Sequence, residues 1–305
     1  NLVMKGAIMK NKITSGSKYR VNRAKSAKTQ DIINRLWDEY GGEIFIKLIE
    51  ENNVELATQC IEAGLEISSE RNCKTPFLHR AVECRAREAA IKLISLGIDL
   101  KTEDSDGYTP LEVAVFNDNI EICELLLDMN KSLIEYANTR YILSQAVSLG
   151  NSEIIKLLIS HGANINERYK EGRTPLMIAV GYNCIKPDIV RLLIENSANV
   201  NAKDKKGRTP LHSIFDGHNA LEKVELLLLH GANIDARDKY GRTPLLRAIN
   251  VFQFGTALLL LKHGANLRIK DNDGNTPLDI AIKNNCNDLE LLRLLKGNNI
   301  RKSEI

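Results

Sequence analysis

The sequence predicts an all-α solenoid of about eight stacked helix–turn–helix repeats joined by β-hairpin or loop fingers. Three observations carry that expectation. Thr-Pro steps, or close relatives of them, place threonines at 75, 109, 174, 209, 243 and 276; the separations are 34, 65, 35, 34 and 33, and 65 is two periods with one degenerate member. Around those steps the strings KTPFLHRAV, GYTPLEVAV, GRTPLMIAV, GRTPLHSIF, GRTPLLRAI and GNTPLDIAI repeat. Finally, the 305 residues are 43% hydrophobic but only 5% aromatic, so the core must be built mainly from Leu, Ile, Val and Ala.

Taken in order, residues 1–30 carry Lys5, Lys10, Lys12, Lys18, Arg20, Arg23, Lys25 and Lys28 with no acidic residue, and read as a basic, disordered leader. Ile32, Ile33, Leu36 and Trp37 suggest a short helix over 31–40 that closes the open end of the first repeat. The repeats occupy 41–297, near 41–73, 74–106, 107–140, 141–171, 172–206, 207–240, 241–273 and 274–297, and a polar tail follows at 298–305. In the fourth repeat Tyr141 and Ile142 replace Thr-Pro, and in the fifth Ile185 to Pro187 add length between the helices. The irregular stretch Lys131 to Arg140 is expected to change the stacking locally rather than to break the domain.

Within a repeat, each step has a physical reason. Threonine caps free amides, and proline tolerates the first helical turn because its missing N–H is not needed there. The second helices are aliphatic, as in EIIKLLI at 153, DIVRLLI at 188 and KVELLLL at 223. Three of them stop at His-Gly, where Gly162, Gly231 and Gly264 supply the left-handed conformation and His161, His230 and His263 suit the negative end of the helix dipole.

TPLH at 209–212, HGANI at 161 and 230, and Asp-x-x-Gly turns at Asp204, Asp238 and Asp271 together resemble the ankyrin-repeat family over about residues 42–297. That resemblance implies a scaffold that binds other proteins through its finger tips and the concave face of its first helices. Asn130 and Ser197 stand where the family's glycine is usual.

Residues for chemistry are scarce. The helix-end motif accounts for three of the six histidines, TPLH accounts for His212, and His79 stands one residue displaced from the same place. Cys73, His79 and Cys84 lack both a paired-thiolate spacing and a fourth zinc ligand. Neither a phosphate loop, a serine elbow nor an HExxH motif is present. No catalytic, cofactor-binding or metal residue is therefore expected, and the chain reads as no enzyme. The scattered cysteines (60, 73, 84, 123, 184 and 286) read as reduced thiols. No apolar stretch is long enough to span a bilayer.

The net charge of +3 hides an asymmetry, because removing the leader's eight positive charges leaves the other 275 residues at −5. On that acidic body the fingers RYKEGR, KDKKGR and RDKYGR sum to +2, +3 and +2, against −2 for KTEDSDGY. They predict a basic ridge that binds a protein with an acidic surface. The expected contact residues are Arg173, Lys203, Lys205, Lys206, Arg208, Arg237, Lys239 and Arg242, with Tyr182, Tyr240 and Phe116 as apolar anchors. Phe215 and Phe254 are assigned to the core. Charge reversal at Lys205, Lys206 and Arg208 is expected to weaken a partner and spare the fold. The expected protein is a monomeric cytoplasmic scaffold, with the nucleus or a host-cell cytosol as other locations. Other readings are a regulatory array of a larger protein, a secreted effector of an intracellular microbe, or nucleic-acid binding through leader and ridge, which the −5 body disfavours.

Overall fold

A computed structural model describes residues 42–55, 57, 76–130, 132–214, 216–217 and 219–297. The leader, the closing helix at 31–40, the tail at 298–305, Cys60, Cys73, Phe215 and His218 lie outside the described residues. Among the described residues there are fifteen α-helices and no strand, so the fingers take the loop form. The chain divides into two compact units, Asn1–Tyr136 and Ala137–Ile305.

The N-terminal unit holds α1 (Gly42–Glu50), α2 (Phe77–Glu83), α3 (Arg87–Ser95), α4 (Pro110–Phe116) and α5 (Ile120–Met129). First helices pack on first helices (α1, α2, α4) and α3 packs on α5. The local grammar is the expected one. Thr109 caps α4 by accepting from the Glu112 amide at 3.3 Å, while the Glu112 carboxylate accepts from the Thr109 amide at 2.9 Å, a reciprocal capping box. Side chains then stitch repeat to repeat: Asn52 Oδ1 accepts from the Ala89 amide at 3.0 Å, and Arg85 donates to the Asn117 carbonyl at 2.8 Å.

The irregular stretch is a helix, α6 (Leu133–Thr139), in place of a finger. Leu133, Ile134 and Ala137 are buried along it, and the division between the two units falls inside it. Without glycine or a bracketing aspartate, this stretch has no turn chemistry to hold a loop.

The C-terminal unit continues with α7 (Ile142–Leu149), α8 (Ser152–Ser160), α9 (Pro175–Gly181), α10 (Pro187–Glu195), a 3-10 turn (Pro210–Ser213), α11 (Ala220–Leu229), α12 (Pro244–Asn250), α13 (Phe254–Lys262), α14 (Pro277–Lys283) and α15 (Leu289–Leu295). One row runs α7, α9, the 3-10 turn, α12 and α14; a second runs α10, α11, α13 and α15. Between the rows lies an aliphatic core including Leu176, Val190, Leu193, Val224, Leu227, Leu245, Leu260 and Leu291, each fully or almost fully buried. Behind the fingers an asparagine ladder links neighbours. Asn201 Oδ1 accepts from the Asn233 amide at 2.8 Å and its Nδ2 donates to the Gly231 carbonyl at 2.9 Å; Asn166 and Asn138 do the same one and two repeats earlier.

Two departures from the repeat pattern are resolved by compensation. Ser197 keeps the left-handed turn that ends α10, at φ 70°, where Gly162, Gly231 and Gly264 serve the other second helices. The missing Thr-Pro of the fourth repeat is replaced from further along the chain. Tyr141 sits at the N-terminus of α7 with φ 60° and offers no side-chain cap, and Glu167 from the following finger accepts from the Ser144 amide at 2.6 Å instead. Alanines 202 and 236 hold the matching positions in later repeats, so a carboxyl has entered a buried slot.

Burial pushes the Glu167 carboxyl up from 4.5 to about 7, against the opposing pull of its bonds from Ser144. A raised carboxyl supports the fold when protonated, so its contribution is complete below about pH 4.5 and is lost as pH rises through about 7. Glu167→Gln keeps the acceptor and cannot ionise. It is expected to gain on the order of 2–3 kcal/mol over the native chain at pH 8 and to flatten the decline between pH 5 and 8. Denaturant melts across that range check this; parallel slopes in the two proteins would refute it.

Candidate partner-binding surface

The basic fingers belong to the C-terminal unit; the second and third are each built on a buried aspartate, while in the first Tyr169 stands at that position. Asp204 Oδ1 accepts from the amides of Lys206 (2.8 Å) and Arg208 (2.9 Å), and Asp238 Oδ1 from those of Tyr240 (2.8 Å) and Arg242 (2.9 Å). The Oδ2 atoms hold guanidiniums, Arg208 at 2.6 Å and Arg242 at 3.2 Å. Neighbouring fingers are joined by backbone bonds, from the Lys205 amide to the Glu171 carbonyl, Lys239 to Lys206, and Asn272 to Tyr240. The Asp-x-x-Gly pattern is thus a folding device that presents whatever stands between its ends.

This geometry separates the expected contact residues into two kinds. Arginines are tied inward. Arg173 donates to the Met177 carbonyl at 3.0 Å and lies 5.9 Å from the centre of the Tyr182 ring. Arg237 donates to Gly241 and Lys270 carbonyls at 3.1 and 3.0 Å, and Arg242 also stacks 4.4 Å from the Tyr240 ring. Lysines point outward: Lys205, Lys206 and Lys239 are exposed with no bonded side-chain partner among the described residues, while Lys203 reaches the Arg237 carbonyl at 3.4 Å. Tyr182 and Tyr240 are exposed. Phe116 lies in the N-terminal unit, packed edge-on to Tyr108 with ring centres 4.9 Å apart.

The histidines follow the repeat. His212 Nδ1 accepts from the Thr209 amide at 3.1 Å while Nε2 donates to the Arg242 carbonyl at 3.0 Å, and burial holds the ring neutral by lowering its pKa to about 4. His79, one residue out of register, still reaches the carbonyl before the next Thr-Pro, that of Tyr108, at 2.7 Å. His161 and His230 bond the Leu157 and Leu226 carbonyls at their helix ends. Among the described residues no three His, Cys, Asp or Glu side chains converge as a metal ion would need.

Three positions escaped sequence reasoning. Lys223, inside the aliphatic string KVELLLL, is 2% exposed and donates to the Ala179 and Tyr182 carbonyls at 3.1 and 2.7 Å, closing the end of α9. Asp216 caps α13 of the next repeat through the amides of Gly255 (2.9 Å) and Thr256 (2.6 Å). Arg247 stands half-buried on α12 beside the finger bases. A charged residue inside an apolar helical run is the one signal that pointed to Lys223. Phe254 corrects the core assignment: it is half-buried, edge-on to the exposed Phe252, because α13 begins there and its first turn faces outward.

A family model described as ankyrin repeats matches residues 44–136, 119–204, 143–238 and 214–304, and the chain belongs to the ankyrin-repeat family. Among its relatives is an ankyrin repeat protein of Fowlpox virus (strain NVSL), 34% identical over 121 residues, which are 40% of this chain and 84% of the relative. A second protein of that virus is 30% identical over 145 residues, 47% of this chain and 33% of the relative. A Caenorhabditis elegans homolog of transient receptor potential cation channel subfamily A member 1 is 30% identical over 102 residues, 33% of this chain and 8% of the channel. The chain thus spans most of the first relative and a third or less of the other two. Ankyrin repeats are generally non-catalytic modules for protein–protein interaction. Among the described residues no helix is long and apolar enough to cross a membrane.

Proposed function

We propose that the chain is a binding module whose C-terminal fingers take an acidic surface of another protein. The observation that carries this reading is the outward set of lysines, Lys203, Lys205, Lys206 and Lys239, on fingers held in register by buried aspartates. Because the guanidiniums of Arg208 and Arg242 are matched by Asp204 and Asp238, the unmatched charge of these fingers resides mainly on lysine. Tyr240, next to Lys239 on its finger, and Tyr182, against Arg173, are exposed aromatic residues of the kind enriched at interface centres. The relatives' partial coverage favours a second reading, in which the same array is a binding segment of a longer protein.

The test reverses the four lysines to glutamate and leaves the arginines alone. Arg208 is not a suitable target, because reversal would set a carboxylate against the buried Asp204 and damage the finger itself. With a 12-residue Gly/Ser peptide carrying four glutamates as probe, the reversed protein is expected to bind at least about tenfold more weakly at low salt. Unchanged affinity would remove the ridge from the account.

A further inference from the structure

Arg168, Arg173, Arg208, Arg237 and Arg242 all have a bonded acceptor within the C-terminal unit. Arg247 is different. It projects from α12, the first helix of the seventh repeat, half-buried and without a bonded acceptor among the described residues. Its amide donates to the carbonyl of Thr243, the residue after Arg242, and α12 packs on the 3-10 turn that begins just after Arg208 and Thr209. Arg208 and Arg242 are thus its like-charged neighbours, and Asp204 and Asp238 its opposite ones. Each of those carboxylates already holds its own finger arginine, at 2.6 and 3.2 Å. Three guanidiniums against two carboxylates leave one positive charge at a partly dehydrated place.

We propose that Arg247, framed by Arg208 and Arg242 at the bases of two adjacent fingers, receives a single Asp or Glu side chain of the acidic partner. This inference rests on the binding reading above and names the anchor within it. The guanidinium fork matches a carboxylate with two parallel hydrogen bonds, which a lysine cannot reproduce. One uncompensated charge fits a monoanionic carboxylate, while a phosphate would bring a charge of about −1.5 to −2. Burial, with the like charges of Arg208 and Arg242, pulls the Arg247 pKa below the ordinary arginine value, so an arriving anion would relieve both penalties. Tyr240, stacked on Arg242 and 53% exposed, offers an aromatic face on the finger that carries Arg242.

The experiment uses the full chain, the four-glutamate peptide and its glutamine twin, with fluorescence anisotropy as readout. Arg247→Met and Lys239→Met each remove one positive charge, so general attraction predicts equal losses. The proposal predicts about a tenfold loss for Arg247→Met, under threefold for Lys239→Met, and an intermediate loss for Arg247→Lys. Thermal melts of all three variants within a few degrees of the native chain show that the fold is retained. Equal losses for the two methionine variants would overturn the anchor while leaving the lysine ridge intact. An unchanged four-lysine reversal would overturn the ridge, and no measurable binding by the native chain would overturn both. Tighter, Arg247-dependent binding of a single-stranded oligonucleotide would also overturn the choice of carboxylate.

Discussion

Asp238→Ala is expected to be the most damaging single substitution on the fingers, at about 3 kcal/mol or more. The side chain is fully buried in the finger; its carboxylate takes two backbone amides on one oxygen and the Arg242 guanidinium on the other. Removing it frees two amides and strands a guanidinium already near Arg247. The damage should spread backwards, since the Arg242 carbonyl is the acceptor of His212, which in turn holds Thr209. Hydrogen exchange is the suitable measurement, because a repeat array can lose one joint without unfolding as a whole. Amides at Tyr240, Arg242 and Thr209 should lose protection together. Asp238→Asn, which keeps one acceptor oxygen, should lose less. Unchanged protection in the alanine variant would contradict this account of the finger.

Lys223→Met is expected to cost about 1–3 kcal/mol although it replaces a buried charge with an apolar chain of similar length. Burial of a lone ammonium is unfavourable and lowers its pKa, and on that ground alone methionine would stabilise. The decisive point is what the ammonium satisfies. Its two acceptors are carbonyls at the end of α9, which cannot find partners inside the helix. Methionine would leave the Ala179 carbonyl unpaired and the Tyr182 carbonyl with the Ile185 amide alone, at 3.2 Å. The denaturant midpoint of the variant checks the balance; a midpoint equal to or above the native one would show that desolvation outweighs the two bonds. Tyr182 supplies one of those carbonyls, so the variant should also loosen an aromatic residue of the proposed surface.

The contrast between these residues shows what was legible in the sequence. Thr109, Thr174, Thr243 and Thr276, the glycines after the second helices, and the finger aspartates act on neighbours two to four residues away, so spacing alone disclosed them. Glu167, Lys223 and Asp216 act across 23, 41 to 44 and 39 to 40 residues, and no local pattern marks such partners. The ridge was legible as a charge but not as a division of labour, because a sequence sum treats Arg208 and Lys206 alike. Geometry separates them through the 2.6 Å bond to Asp204. The helix α6 was illegible for a different reason: its repeat lacks the turn residues that define a finger, and what replaces them follows from the burial of Leu133, Ile134 and Ala137.

The central claim is that arginines and aspartates build the C-terminal fingers while lysines meet the partner. Its most direct measurement pairs affinity with thermal stability in one protein, the chain with Lys203, Lys205, Lys206 and Lys239 all changed to glutamate. The account predicts at least about a tenfold weaker hold on the four-glutamate peptide with a melting temperature within a few degrees of the native chain, since exposed charges contribute little to stability. Undiminished affinity, or a loss of affinity that comes only with a collapsed melting temperature, would contradict it.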